Sequence, residues 1–299
     1  MRRNYLALLL SLCLLYACGS PTPPANPEPD ALETATQAAT TPHKGSTAFQ
    51  QYAQVVENRI NWGAYAKINV WAPAVPTADY STNQMWVSAG NENLHAGVHV
   101  NYALYRDNRP HLFTYATRYV GGKPSGCFNG SCGDFVQVST TIRPGNTVGS
   151  VSVSGGQQYE LEVYWVKDFN GGDWWLRVQG EWVGYYPRTL FVAMANYATS
   201  YAFGGTVTNT VVNGRHTTAD MGSGAFPSAW YTRAAYQRNL GWWNVVDAAS
   251  RNMALQPATA LTVVQTDVKC YAITYGLNDA AWGTYIYFGG TGYDAVNCY

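Results

Sequence analysis

Apolar and polar residues alternate at period two in several stretches of the chain, and each such stretch predicts a half-buried β-strand. The clearest is Asn93–Asp107, where Leu94, Ala96, Val98 and Val100 share one face and His95, Gly97 and His99 the other. Tyr159, Leu161, Val163 and Trp165 alternate in the same way with Glu160, Glu162 and Tyr164. Strands are also predicted near 63–71 and 80–87, and at Trp174–Leu176 and Val183–Phe191, punctuated by turns at Gly171-Gly172-Asp173 and Gln179-Gly180. Two stretches depart from this period. Phe49, Tyr52, Val55, Val56 and Ile60 would line one face of a helix, and Leu190–Ala198 reads as a short helix. The prediction is an all-β protein, an antiparallel β-sandwich.

Composition agrees. Of 299 residues, 12% are charged and 14% aromatic, a balance that favours strands and turns over helices. The formal net charge is zero, so nothing points to nucleic acid or an anionic surface as partner. At the start, Arg2 and Arg3 precede an apolar run from Tyr5 to Tyr16, too short to span a bilayer comfortably. Leu15-Tyr16-Ala17-Cys18 resembles the lipobox of bacterial lipoproteins, which implies cleavage before Cys18 and its lipidation. Gly19 rather than aspartate after the cysteine implies, by the same resemblance, an outer-membrane or cell-surface destination. Residues 18–47 are Pro/Thr/Ala-rich with little to bury, as expected of a disordered tether. The expected organisation is therefore a leader (1–17), a tether (18–47) and one folded domain (48–299), exported, lipid-anchored and monomeric.

Once Cys13 and Cys18 are set aside, Cys127, Cys132, Cys270 and Cys298 remain, an even set suited to disulfides in an exported protein. Cys127 and Cys132 are close enough to meet across a tight loop, and Cys270–Cys298 would pin the C-terminal strand. A four-thiolate zinc site is the alternative, although the spacing lacks the two Cys-x-x-Cys knuckles.

Several words of the sequence are similar to the neprosin family of β-sandwich glutamic endopeptidases. They include Ala96-Gly97-x-x-Val100, Leu104-Tyr105-x-Asp107, Tyr80-Ser81-x-x-Gln84-x-Trp86-Val87 and Gly126-Cys127-Phe128-Asn129-x-x-Cys132-x-x-Phe135-Val136-Gln137. Val183-Gly184-Tyr185-Tyr186-Pro187 and Trp282-Gly283-Thr284-Tyr285 extend the resemblance over roughly residues 50–299. It implies a strand rather than a helix for the segment near Tyr52. It also implies a pair of catalytic glutamates on two strands, one before Ala-Gly and one after Gly-Gly. At those positions this chain has His95 and Thr206.

Two carboxyls facing one water can share a proton and act as acid and base. A histidine and a threonine cannot. Losing one such group commonly costs about two to four decades in rate, so the expectation is a domain that binds without cutting. A converted hydrolase is the alternative, with His95 as base for Thr206 if their side chains touch, or with a nearby acid such as Asp220. His95 and His99, four apart on a strand, are about 13 Å apart and cannot share one metal. A zinc site would need His216 or Asp220 in addition, so neither a metal nor another cofactor is expected. The plain reading of the two histidines is a polar, solvated strand face. Glu160, Glu162, Glu181, Asp134 and Asp220 read as surface or turn residues. Trp174, Trp175, Trp182, Tyr185 and Tyr186 crowd one hairpin, and aromatic faces suit proline rings or sugars. Trp174, Trp175, Tyr185, Tyr186 and Asp220 are accordingly the binding candidates, and a proline-rich peptide or a glycan the expected ligand.

Overall fold

A computed structural model describes residues 49–169, 172–210, 215–247, 252–294 and 296–298. The predicted leader, the lipidation site at Cys18 and the tether lie outside them. Two antiparallel sheets pack face to face. The first runs, in spatial order, β14 (Thr262–Gln265), β1 (Phe49–Asn61), β11 (Ala198–Asn209), β3 (Tyr80–Ala89), β4 (Glu92–Asn101), β5 (His111–Val120) and β6 (Lys123–Phe128). The second runs β15 (Ala272–Asp279), β16 (Gly283–Gly289), β12 (Ala235–Asp247), β2 (Gly63–Asn69), β8 (Glu160–Lys167), β9 (Trp174–Val178), β10 (Glu181–Tyr186) and β7 (Val136–Gln137), with β13 (Asn252–Pro257) also on β12. This is the predicted all-β sandwich.

The core lies where the period-two pattern puts it. Leu94, Ala96, Val98 and Val100 all turn inward and are buried, together with Met85, Val87, Val55 and Phe203 of the same sheet. Ala66, Ile68, Val163, Trp165, Leu176, Ile286 and Phe288 face them from the second sheet. One buried polar cluster joins the layers. Gln237 on β12 donates from Nε2 to Asn83 Oδ1 (2.6 Å) and to the Gln84 carbonyl (2.9 Å), and Asn83 Nδ2 donates to the Asn69 carbonyl (2.8 Å). These donors tie β12 to the middle of β3 across the sandwich, while Gln237 Oε1 has no partner among the described residues.

Both disulfides form as predicted, Cys127–Cys132 with Cα atoms 6.0 Å apart and Cys270–Cys298 with Cα atoms 5.0 Å apart. With those thiols consumed, the four-thiolate alternative falls. The segment from Phe49 is a strand, as the resemblance implied. It pairs with β11 on one side and β14 on the other, so its helix-like spacing is overruled by tertiary pairing.

Two local expectations are corrected. Leu190–Ala198 is not a helix: a 3-10 turn covers Arg188–Leu190, and Ala198 already opens β11. The Glu92 carboxylate takes the backbone N–H groups of Val192 (2.9 Å) and Met194 (2.9 Å), and the second of these is the donor that a helix starting at Leu190 would give to the Leu190 carbonyl. The strand beginning near Asn93 also stops at Asn101. There the Asn101 side chain accepts from Leu104 N (3.1 Å) and caps a four-residue helix, α1 (Tyr102–Tyr105), which Arg106 ends in the left-handed region.

Candidate functional site

The outward face of the first sheet is concave and forms a cleft of about 450 Å³. Register explains its floor. The residues that alternate with the core on five adjacent strands line it: Tyr52 and Gln54 on β1, Thr206 on β11, Thr82, Gln84, Trp86 and Ser88 on β3, His95 on β4, Tyr115 on β5. Gln84 lies opposite Gly204 on one side and Gly97 on the other, so the row through the middle of the floor has no side chain beside it. Both glycines are required by close backbone approach. A Cβ at Gly97 would come within 2.1 Å of the Asn83 carbonyl oxygen, and one at Gly204 within 2.3 Å of that of Ala53.

His95 and Thr206 do not touch. They stand in the rows above and below Gln84, which bridges them: Gln84 Nε2 donates to Thr206 Oγ1 (3.1 Å), and Gln84 Oε1 lies 3.3 Å from His95 Nδ1. The direct His95–Thr206 contact, one of the two routes expected for a converted hydrolase, is therefore absent. His95 stacks on Trp86, with ring centroids 5.4 Å apart and planes 11° apart, and meets Tyr115 edge-on. Burial among these groups lowers its pKa to about 3. At neutral pH it is an uncharged imidazole, and a base whose conjugate acid is so acidic removes protons poorly. Gln84 belongs to a quoted family word, yet sequence reasoning did not assign it a role. Its signal was positional, since Tyr80, Thr82, Gln84, Trp86 and Ser88 all alternate with the core residues Met85 and Val87.

His99 corrects the picture of a solvated face. It is only 1% exposed. Helix α1 folds Tyr105 over it. Asn129 Nδ2 donates to Tyr105 Oη (2.7 Å), and Tyr105 Oη in turn is 2.7 Å from His99 Nε2, while Phe113 stacks on the ring. Burial lowers the pKa of His99 also to about 3, with the His111 ring as a lesser cause.

The remaining predicted residues lie elsewhere. Trp174 and Tyr186 are wholly buried core residues, because they occupy the inward positions of β9 and β10, and their ring faces are unavailable to a ligand. Trp175 and Tyr185 are half-buried on the outward face of the second sheet, 4.6 Å apart, next to exposed Trp182. None of the four reaches the cleft. Asp220 does approach β11, but from the wrong side. Its neighbour Met221 packs under Gly205 on the core face, whereas Thr206 faces the cleft. Asp220 instead receives the Ala74 N–H at 3.4 Å, and burial raises its pKa. His216 lies 3.7 Å from Asp267, beside the Cys270–Cys298 bridge. Asp134, read as a turn residue, is buried and paired with Arg118 at 3.0 Å. Glu160, read as a surface acid, is held by the Arg238 guanidinium through two hydrogen bonds of 2.6 Å.

None of the described residues lining the cleft is Asp, Glu, Lys or Arg. Its chemistry is amide, hydroxyl, neutral imidazole and aromatic ring.

A sequence-family model described as Neprosin matches residues 77–291. Among solved structures, scytalido-glutamic peptidase with a transition state analog inhibitor is similar over 82% of this chain and 100% of its own, at 8% identity and a TM-score of 0.38. SCP-B of the Eqolisin family, in complex with a tripeptide, is similar over 81% and 97%, at 7% identity and a TM-score of 0.34. A homodimeric agglutinin from chicken liver covers 55% of this chain and 92% of its own, at 8% identity and a TM-score of 0.25. Likenesses at these values say nothing about substrate.

Proposed function

Because the chain belongs to the Neprosin family, we propose that its cleft is a peptidase-related site that holds an uncharged peptide segment without cutting it. The observation that carries this reading is the lining: none of the described residues of the floor is a carboxylate, and the imidazole beside Gln84 is held neutral. A glutamic-peptidase mechanism needs two carboxyls, and each missing acid-base group costs about two to four decades. The features that remain are those of binding. Tyr52, Tyr80, Trp86, Tyr115 and Phe128 offer ring surface, while Gln50, Gln54 and Asn93 offer amides. A neutral lining favours an uncharged ligand, since a charged one would lose its hydration without gaining a counter-charge.

The proposal includes export and a membrane anchor at Cys18. The basic-then-apolar start and the Ala17-Cys18 junction support it, and two disulfides suit an oxidising compartment. A lipidated N-terminal peptide starting at Cys18, found by mass spectrometry of a membrane fraction, is the expected result. An unmodified Cys18 in a soluble fraction rejects it.

The test of function compares the chain with its His95→Glu/Thr206→Glu double variant on a denatured protein mixture from pH 3 to 8, with released peptides read by mass spectrometry. The unmodified chain is expected to release none while retaining neutral peptides in a pull-down. Cleavage that disappears in His95→Ala would overturn the non-hydrolytic reading. Retention of neutral oligosaccharides with no peptide retained would replace the peptide by a glycan.

A further inference from the structure

The acceptor and donor pattern at the cleft floor says more about the ligand, on the premise that the cleft binds peptide. Gln84 is held at both ends. Its Nε2 is spent as a donor on Thr206 Oγ1, which leaves Oε1, an acceptor only, facing His95 Nδ1. An uncharged imidazole carries one proton, and opposite an acceptor that proton belongs on Nδ1. Nε2 is then the bare lone pair of the ring. It has no hydrogen-bond partner among the described residues, and it belongs to a side chain of the cleft floor. The ring cannot easily turn away, because Trp86 covers one face and Tyr115 meets it edge-on.

We infer that the cleft reads a secondary amide: the bound segment presents one backbone N–H to His95 Nε2, and proline, which has no N–H, is refused at that single position. Elsewhere along the cleft the rings of Tyr52, Tyr80 and Phe128 accept proline as readily as any apolar residue. Specificity of this kind arises from the partner left unpaired. A ligand lacking the N–H displaces water from Nε2 and supplies nothing in its place.

The test starts from a pool of hexapeptides capped at both ends, with Ala, Ser, Val, Leu or Pro at each position, passed over the immobilised full chain and read by mass spectrometry. A retained peptide is resynthesised with each backbone nitrogen methylated in turn. One methylation is expected to weaken binding about tenfold or more, with the others much milder. That one sensitivity should vanish in His95→Phe, which keeps a ring but has no acceptor. Gln84→Met, of similar shape, frees the tautomer and should blunt the same sensitivity should His95→Phe fail to fold. In the unliganded chain, the ¹⁵N spectrum of the His95 imidazole should show the proton on Nδ1. A flat methylation scan, a scan unchanged in both variants, or a proton on Nε2 would overturn the inference while leaving peptide binding in place. A proton on Nε2 would mean that the Gln84 amide is turned the other way, offering a donor that tolerates proline. A pool from which no peptide is retained overturns the peptide reading and this inference with it.

Discussion

The two outward faces of the sandwich are both rich in aromatic rings, yet they handle charge in opposite ways. On the second sheet, Arg238 is clasped by Glu160, Tyr65 Oη donates to Glu162 at 3.0 Å, and Arg177 lies over the rings of Tyr164 and Trp182. The rings there pack on one another, as Trp175 does on Tyr185 and Trp182. On the first sheet none of the described residues of the cleft floor is charged, and the rings, although they touch one another as Phe128 does Tyr80 and Tyr115, also border open volume. The contrast separates an aromatic surface that completes a fold from one that leaves room for a ligand. Clustering of tryptophans in sequence marked the former; alternation with core residues across adjacent strands marked the latter.

The largest expected effect lies on the closed face. Arg238→Ala leaves the mostly buried Glu160 carboxylate without its counter-charge, with the Tyr236 hydroxyl (2.9 Å) still donating to it, and should cost about 3 kcal/mol of stability, read from urea or guanidinium midpoints. Its effect on cleft ligands in the folded fraction should be slight. An equal loss of binding at saturating stability would show the two faces to be coupled.

The next effect belongs to the open face and depends on pH. His95 and His99 titrate near 6.5 when unfolded, and in the folded chain only near 3. Between those values the unfolded chain holds protons that the folded chain does not, so stability falls as pH drops through the window. The slope is at most about 1.4 kcal/mol per pH unit for each histidine. Denaturation midpoints at pH 7, 6 and 5 should show it above the range where carboxylates titrate, and His99→Gln should make the acid limb shallower. A limb unchanged in that variant means His99 does not remain neutral. Ligand binding itself should be level from pH 5 to 8, since no group of the cleft floor changes charge there.

Trp86→Ala removes the ring that covers His95. It should weaken retention of neutral peptides by about tenfold, as expected for an aromatic contact and its buried area, and raise the pKa of His95 toward its ordinary value, readable by NMR titration. The smallest effect is expected at Trp182, 43% exposed on the closed face. Trp182→Ala should change stability by about 1 kcal/mol or less and leave cleft binding untouched. Loss of peptide retention in that variant would move the ligand to the second sheet.

Much of the fold was legible because burial leaves a period. The inward set Leu94, Ala96, Val98 and Val100 names its own strand and face, and the spacing of the cysteines anticipated both bridges. The segment at 49–61 was ambiguous because its outward residues are aromatic and apolar as well. Tyr52 and Val56 face the cleft side while Gln51 and Glu57 are buried, a reversal that only pairing with β11 and β14 explains. The region from Leu190 misled because the Met194 N–H, which a helix would turn to the Leu190 carbonyl, goes to Glu92, about a hundred residues earlier in the chain.

The sequence by itself pointed to the all-β class, the inward faces and an even set of four cysteines suited to disulfides. Those follow from local period, from spacing and from residue identity. Only the tertiary structure decided that Gln84 stands between His95 and Thr206, that His99 is sealed beneath Tyr105, that Asp220 approaches from the core side, and that Trp174 and Tyr186 are core. Each of these depends on strand register and on which face of a sheet meets the other, and a contact across strands that are distant in sequence leaves no mark in the order of residues along any one of them.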